Sequence, residues 1–387
     1  MVLFLHNRYR TTGGEERVVE DLMWLVREHL DEPAELLQRD SAGIGAGAAA
    51  LGLLGGGLHA REVTDAVRLS GARVVHAHNL HPAFGWRALA AARAAGARVV
   101  LHLHQYRLVC AIGVCFTRGE ECTRCHGRNT LPGVRLNCRG SRPEAVAYGA
   151  ALALWQRRLV EQADAIIVPS VFARERLRAL GAPLPWERVQ VLAPPLPGLQ
   201  GAATAAAAQA PGQPQGPYAL VVSRLAVEKG IDLAVDACRI AGMPLIVAGE
   251  GPELEALRER AAGAQASFLG RVDDATLTRL RAGAAVALAP SRSAETFGLA
   301  VAEAMAAGLP VAATRVGAIP ELLDEDALVA PGDAPALAEA LARLSGDAVA
   351  GARNLQRVRA VCAPEMVARG LIEAYGRDGG LGAQPST

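Results

Sequence analysis

The feature that most limits what this chain can fold into is an alternation, met twice, between short β-branched runs and longer Ala/Leu/Arg/Glu stretches. Residues 2–5, 73–78, 98–104 and 164–168 are the runs of the first half; 218–223, 244–248, 285–289 and 310–314 are those of the second. Between them lie stretches of helical length, such as 15–30, 86–95, 230–241 and 252–262. Runs of this kind read as buried parallel strands, and strand–helix–strand repetition covers both faces of a parallel sheet with helices. Residues 194–217 separate the halves with several prolines and glycines and no hydrophobic periodicity, which is the composition of a linker. At 387 residues the chain is long enough for two domains, each with its own core. The expected fold is therefore α/β, two doubly wound parallel-sheet domains facing across a cleft. Ligands in such sheets sit beyond the carboxyl ends of the strands.

Charge and aromatic content exclude one large class of partners. Forty basic residues against 39 acidic ones leave a net charge of +1, without the excess of Lys and Arg that nucleic-acid binding needs. At 4% aromatic residues the chain also lacks the rings for a single-strand stacking platform. The N-terminus has only five apolar residues before His6 and no basic region ahead of them, so a cytoplasmic location is expected. Residues 41–60 are almost uncharged and rich in Gly and Ala. They are either a loop and poor helix, since Gly disfavours helix in water, or an apolar surface resting against a lipid or a bulky acceptor at the inner face of a membrane.

The second half carries the chemistry-bearing spacing. Directly after the strand at 218–222 the chain reads SRLAVEKG, with Arg224 and Lys229 on the loop that leads to a helix at Gly230. Two cations beside a helix start suit a diphosphate. Further on, Glu295 and Glu303 have seven residues between them, and Thr296, Phe297 and Gly298 open a helix of small residues that begins at Leu299. Its N-terminus offers free N–H groups to an anion, and Glu303, two turns along, is placed to accept hydrogen bonds from a diol such as a ribose. The acidic triplet 324–326 lies outside these loops and reads as solvated rather than metal-binding. No divalent metal is expected where two cations and a helix N-terminus already suit a diphosphate.

Of the seven cysteines, Cys238 and Cys362 stand alone in helical stretches, and Cys110, Cys115, Cys122, Cys125 and Cys138 cluster in one insert at 110–138. Cys122 and Cys125 form Cys-x-x-Cys, and Cys110 and Cys138 flank them. This is a spacing for structural zinc held by Cys110, Cys122, Cys125 and Cys138, with reduced thiols or a labile disulfide as the alternative.

Taken together, GGEE at 13–16, VVHAHN at 74–79, HLHQYRLVC at 102–110, SRLAVEKG at 223–230, AGEGPE at 248–253 and the two glutamates ending at Glu303 resemble the retaining glycosyltransferases of family 4. The cysteine-rich stretch with CRGSR at 138–142 is similar to that of a subgroup. The resemblance implies the GT-B fold, two Rossmann-like domains, and transfer of a sugar from a nucleotide-sugar donor, a UDP-sugar before a GDP-sugar, to a glycan, lipid or small metabolite. It assigns Arg224 and Lys229 to the diphosphate, Glu303 to the ribose, Glu295 to the donor sugar, and the amides of Gly298 and Leu299, beside Phe297, to the phosphates. Gly13 and Gly14 would admit the donor phosphates or the acceptor. His104 matches a histidine near the reacting centre, although Gln105 departs from the commoner His-Asp pair. A GT-B isomerase acting on a nucleotide sugar without transferring it is the alternative activity. The implied division is an acceptor-side domain at 1–195, a linker at 196–217, a nucleotide-sugar domain at 218–360, a helix at 361–376 crossing back to the first domain, and a tail at 377–387.

Overall fold

A computed structural model of the chain describes residues 1–9, 13–200, 213, 214 and 216–376. Most of the expected linker and the tail at 377–387 lie outside the described residues. The chain divides into two compact units. One comprises Met1–Gly113, Thr123–Pro195 and the segment from Pro364 onward; the other comprises Val114–Cys122 and Leu196–Ala363.

The first unit is built on six parallel strands: β1 (Val2–Arg8), β2 (Ala34–Asp40), β3 (Val74–Ala77), β4 (Arg98–His102), β5 (Ala165–Val168) and β6 (Val189–Val191). Their order is β2-β1-β3-β4-β5-β6, so the direction of winding reverses between β1 and β3. The central strands are apolar or aromatic throughout and fully covered, as strands with helices on both faces must be. Helix Gly14–His29 follows β1, with Glu15 and Glu16 in its first turn and Arg27 and His29 in its last, signs that complement the helix dipole. Its inner face of Val18, Val19, Leu22, Leu25 and Val26 is buried. Register pairs Phe4 with His76 and Ala77 with Leu101. Because side chains two apart share a face, His6, His76, His78, His102 and His104 all project from one side of this sheet.

Residues 364–376 belong to this first unit. Helix Ala348–Cys362 lies in the second unit, and helix Pro364–Ala374 lies in the first and packs against helix Gly14–His29. The change of unit therefore falls at Ala363–Pro364, not at 361, because proline ends one helix and can open the next. Val367, Leu371 and Tyr375 are buried, each contributing about 1.5–3 kcal/mol. Residues 41–60 do not form a loop: a 3-10 turn at Ser41–Gly43 leads into helix Ala46–Gly55.

In the second unit the strands are β7 (Ala219–Val222), β8 (Leu245–Ala248), β9 (Ala266–Gly270), β10 (Val286–Ala289), β11 (Val311–Thr314) and β12 (Leu328–Val329). All pairs are parallel and the order is β9-β8-β7-β10-β11-β12. Counted from β7 this is 3-2-1-4-5-6, the dinucleotide-fold order, with its switch point between β7 and β10. Under the sheet Tyr218 donates to the Leu280 carbonyl at 2.6 Å amid Leu220, Ile246 and Ala248.

Candidate functional site

The loops leaving β7 and β10, on either side of the switch point, are stitched to each other. After β7 the chain makes a 3-10 turn, Val227–Lys229, then Gly230 at φ 64° before helix Ile231–Ala241. A Cβ on Gly230 would fall 2.1 Å from the Pro290 carbonyl oxygen, so glycine is what lets the two loops touch. The amides of Arg292 and Ser293 both donate to the Glu228 carbonyl, at 2.8 and 3.2 Å. Arg292 also grips Asp232 through two bonds, at 2.7 and 2.6 Å.

This stitching brings Lys229 and Glu295 together. The Lys229 Nζ donates to Glu295 Oε1 at 2.6 Å, and the Ser291 hydroxyl donates to the same oxygen at 2.6 Å. Ser291 is itself fixed by Thr314, whose hydroxyl donates to its carbonyl at 2.5 Å. Burial pushes the Glu295 carboxyl up, but Lys229, Ser291 and Arg224 outweigh it and hold the group below the usual carboxylate range. Arg224 pairs with Glu228 one turn ahead. Phe297 is buried, Gly298 takes φ 97° and caps helix Leu299–Ala306, and Leu299 is its first residue. Glu303, on the same helix, forms an ion pair with Arg281 of helix Asp274–Gly283. The arrangement thus holds three ion pairs, Arg224–Glu228, Lys229–Glu295 and Arg281–Glu303, together with the N-terminus of helix Leu299–Ala306.

In the first unit the corresponding ends carry histidines. His104, two residues past β4, shares a 2.8 Å hydrogen bond between its Nε2 and His78 Nδ1. His76 and His102 share another, at 3.3 Å, and His76 Nδ1 meets the Tyr375 hydroxyl at 2.8 Å. The two imidazole pairs stack: His102 on His104 with centroids 4.2 Å apart, His76 on His78 at 4.5 Å. Burial, followed by the neighbouring imidazoles and His6, drives these groups toward neutrality. His76 is pushed down to about 3 by burial and His104. His104 is pushed down to about 3 by burial and His6, with Glu16 pulling the other way. His78 and His102 fall well below the usual histidine range for the same reasons.

Beside them, Tyr9 donates to Glu15 at 2.8 Å, and the Gln105 amide donates to both at 3.0 and 3.1 Å. Arg107 lies over the Tyr9 ring at 4.7 Å. Gly13 has extended backbone, and its amide donates to Glu16 at 2.8 Å as that side chain folds back over the helix start. A Cβ at Gly13 would meet only Glu16, at 3.7 Å. Gly14 is the first residue of that helix.

Cys115, Cys238 and Cys362 are buried, and Cys110, Cys122, Cys125 and Cys138 are half-buried. Among the described residues the group of three or more potential ligand atoms lying within 4.8 Å of one another is His76, His78 and His102, not Cys110, Cys122, Cys125 and Cys138. Cys122 ends the segment Val114–Cys122, which divides from the one holding Cys125, and its amide bonds back to Cys115 beside a short antiparallel ribbon. The sequence reading also missed Ser291, Glu228 and Arg281. Glu228 stands within SRLAVEKG and Ser291 four residues ahead of Glu295, whereas Arg281 comes from a helix with no motif.

Comparison with known proteins follows the same two-part division. The family described as "Glycosyl transferase 4-like domain" matches residues 12–195, and that described as "Glycosyl transferases group 1" matches residues 216–347. Among curated relatives, the sulfoquinovosyl transferase SQD2 of Arabidopsis thaliana is 37% identical over 116 residues, 30% of this chain and 22% of that protein. A GDP-mannose-dependent alpha-(1-6)-phosphatidylinositol dimannoside mannosyltransferase of Mycobacterium tuberculosis is 40% identical over 109 residues, 27% of this chain and 28% of that protein. The chain thus spans about a quarter of the length of these relatives. Sucrose-phosphate synthase from Thermosynechococcus elongatus superposes with a TM-score of 0.68 at 18% identity, over 97% of this chain and 98% of that one. HepE of Anabaena, solved with UDP and glucose, gives 0.60 at 19% identity over 96% and 98%. These likenesses establish the fold as GT-B.

Proposed function

We infer that this chain, built from a glycosyl transferase 4-like domain and a group 1 glycosyl transferase domain, moves a sugar from a nucleoside diphosphate sugar to an acceptor with retention of anomeric configuration. The observation that carries the reading is the meeting of Arg224, Lys229 and Glu295 at the switch point of a 3-2-1-4-5-6 sheet, the place where this fold class receives nucleotides. Arg224 and Lys229 take the diphosphate. Each is held by a carboxylate, Glu228 or Glu295, so donor binding exchanges one set of anionic partners for another. The amides at Gly298 and Leu299 support the phosphates, as a helix N-terminus does for any anion.

Glu303 accepts from the ribose hydroxyls while Arg281 fixes its carboxylate, and Glu295 faces the donor sugar. As the sugar–phosphate bond breaks, charge grows on the leaving diphosphate, and fixed cations meet it without reorganising. The departing phosphate oxygen then receives the acceptor's proton. The first unit supplies the acceptor side, with Gly13 and Gly14 leaving space and His104 acting as a neutral hydrogen-bonding group rather than an imidazolium. The donor is a UDP-sugar in the first instance, supported by the UDP-bound relative of the same fold; the GDP-mannose-dependent relative makes a GDP-sugar the second choice. The acceptor is a glycan, a lipid or a small metabolite, and the chemistry runs without a divalent metal.

The test is incubation with a panel of UDP- and GDP-sugars in EDTA, reading free nucleoside diphosphate with and without candidate acceptors. Release that rises with an acceptor and persists in EDTA is expected. Interconversion of the donor with no diphosphate released, or a strict need for Mg²⁺, would overturn the corresponding part of the reading.

A further inference from the structure

We propose that the outer face of helix Ala46–Gly55, together with Leu58, Leu154, Trp86 and Trp155, is a docking surface for a membrane that carries anionic lipid. The helix is apolar on both faces. Its inner side, through Leu53, packs on Tyr148, Ala151 and Leu152 of helix Arg142–Glu161. Its outer side should be polar in a helix at a protein–water boundary, because a helix that is hydrophobic all round is normally buried. Instead Leu51 is 69% exposed and Leu54 45%, three residues apart on one stripe of the helix, and Leu58, three residues past its end, is 44% exposed. No charged residue occurs from 41 to 58. Leu154, on the neighbouring helix one residue before Trp155, is 50% exposed.

The rim of this patch says what covers it. Trp155 donates its indole N–H to the Leu54 carbonyl at 3.0 Å and lies 5.9 Å from Trp86, centroid to centroid. The Arg158 guanidinium sits over both rings, 5.2 Å from Trp86 and 5.3 Å from Trp155, and Arg87 sits 5.8 Å from Trp86. Arg87, Arg157 and Arg158 are exposed and have no carboxylate partner among the described residues. Indole rings between an apolar face and basic side chains match the layered boundary of a bilayer: acyl chains, interface, phosphate. A second copy of this chain fits less well, since a two-fold contact would bring the same arginines toward each other. Anionic headgroups neutralise them instead. None of the described helices is long and apolar enough to cross a membrane, so the contact is with the surface.

The experiment needs neither donor nor acceptor, so its failure leaves the transferase reading standing. The full chain is sedimented with vesicles of phosphatidylcholine alone, or with about one lipid in three replaced by phosphatidylglycerol. Binding to the anionic vesicles that weakens with salt is expected. Leu51→Asp with Leu54→Asp should lower the partition at least about tenfold, with unchanged circular dichroism because both side chains are exposed. Arg158→Glu should weaken binding to the anionic vesicles and leave the neutral ones unaffected. The proposal is overturned if the wild type stays in the supernatant with anionic vesicles, or if the double variant binds as well as the wild type. It is equally overturned if the wild type is a dimer that the double variant dissociates while neither binds lipid.

Discussion

Lowering the pH from about 7.5 to about 5 should strike one half of this chain and spare the other. None of the nine histidines lies in the second unit, while His76, His78, His81, His102 and His104 of the first are all held below the ordinary histidine range, by burial before any other cause. Each has a folded pKa below its unfolded one, so the fold holds the neutral form. The stabilisation is complete above the unfolded value near 6.5 and is lost as the pH falls toward the folded value. For His76 and His104 the folded value is about 3, and for His81 about 4. At pH 5 these rings are still neutral in the fold while the unfolded chain is protonated. Over the roughly 1.5 pH units crossed, each costs about 2 kcal/mol. Imidazoles joined by hydrogen bonds titrate as a unit, so counting two of the three as independent gives about 4 kcal/mol. Glu15, raised by burial, works in the opposite direction. Against a domain stability of about 5–15 kcal/mol this is a large loss. Trp24, Trp86, Trp155 and Trp186 all belong to the first unit, so tryptophan fluorescence during urea unfolding reports that unit alone. With a slope of about 2 kcal/mol per molar, the midpoint should fall by about 2 M between the two pH values. A midpoint that stays put, or one that falls equally in His76→Gln, would refute the reasoning.

Two further outcomes follow from the site. Lys229→Ala or Arg224→Ala should cut donor turnover about 100-fold, the worth of a charge-assisted phosphate contact, with thermal unfolding little changed; near-normal turnover in both would remove the donor assignment. His78→Gln should lower kcat about tenfold and leave the donor KM unchanged, because His78 positions His104 through its 2.8 Å bond, and its effect should vanish when His104 is already Ala.

How far the sequence could be read depended on burial. The central strands β1, β3, β4, β5, β7, β8, β10 and β11 each hold a short apolar run because both faces are covered, and a run of that kind is visible without a structure. The strands β2, β6, β9 and β12 escaped. β2 reads AELLQRD with most of its residues at least partly exposed, and β12 is two residues long, so neither carries a periodic signal. Helix Ala46–Gly55 was obscured by its glycines, whose low propensity is overridden by packing on Tyr148 and Leu152. At the site, Arg224, Lys229 and Glu295 were legible because one loop carries two of them at short spacing and the third opens a motif. Arg281 was not, since a helix surface arginine looks the same whether it meets solvent or Glu303. The histidine array was half visible: VHAHN and HLHQ show the alternation, but only register places His78 against His104 and His76 against His102.

The central claim is that donor and acceptor meet in a retaining transferase whose donor is held by Arg224, Lys229, Glu295 and Glu303. Its most direct test is proton NMR of the anomeric centre during turnover of an α-linked UDP-sugar with an accepted alcohol, in EDTA. The account predicts that the first product formed carries the small anomeric coupling of an α-linkage, with one UDP released per sugar transferred. A β-linked first product, or UDP release with no glycoside formed, would contradict it.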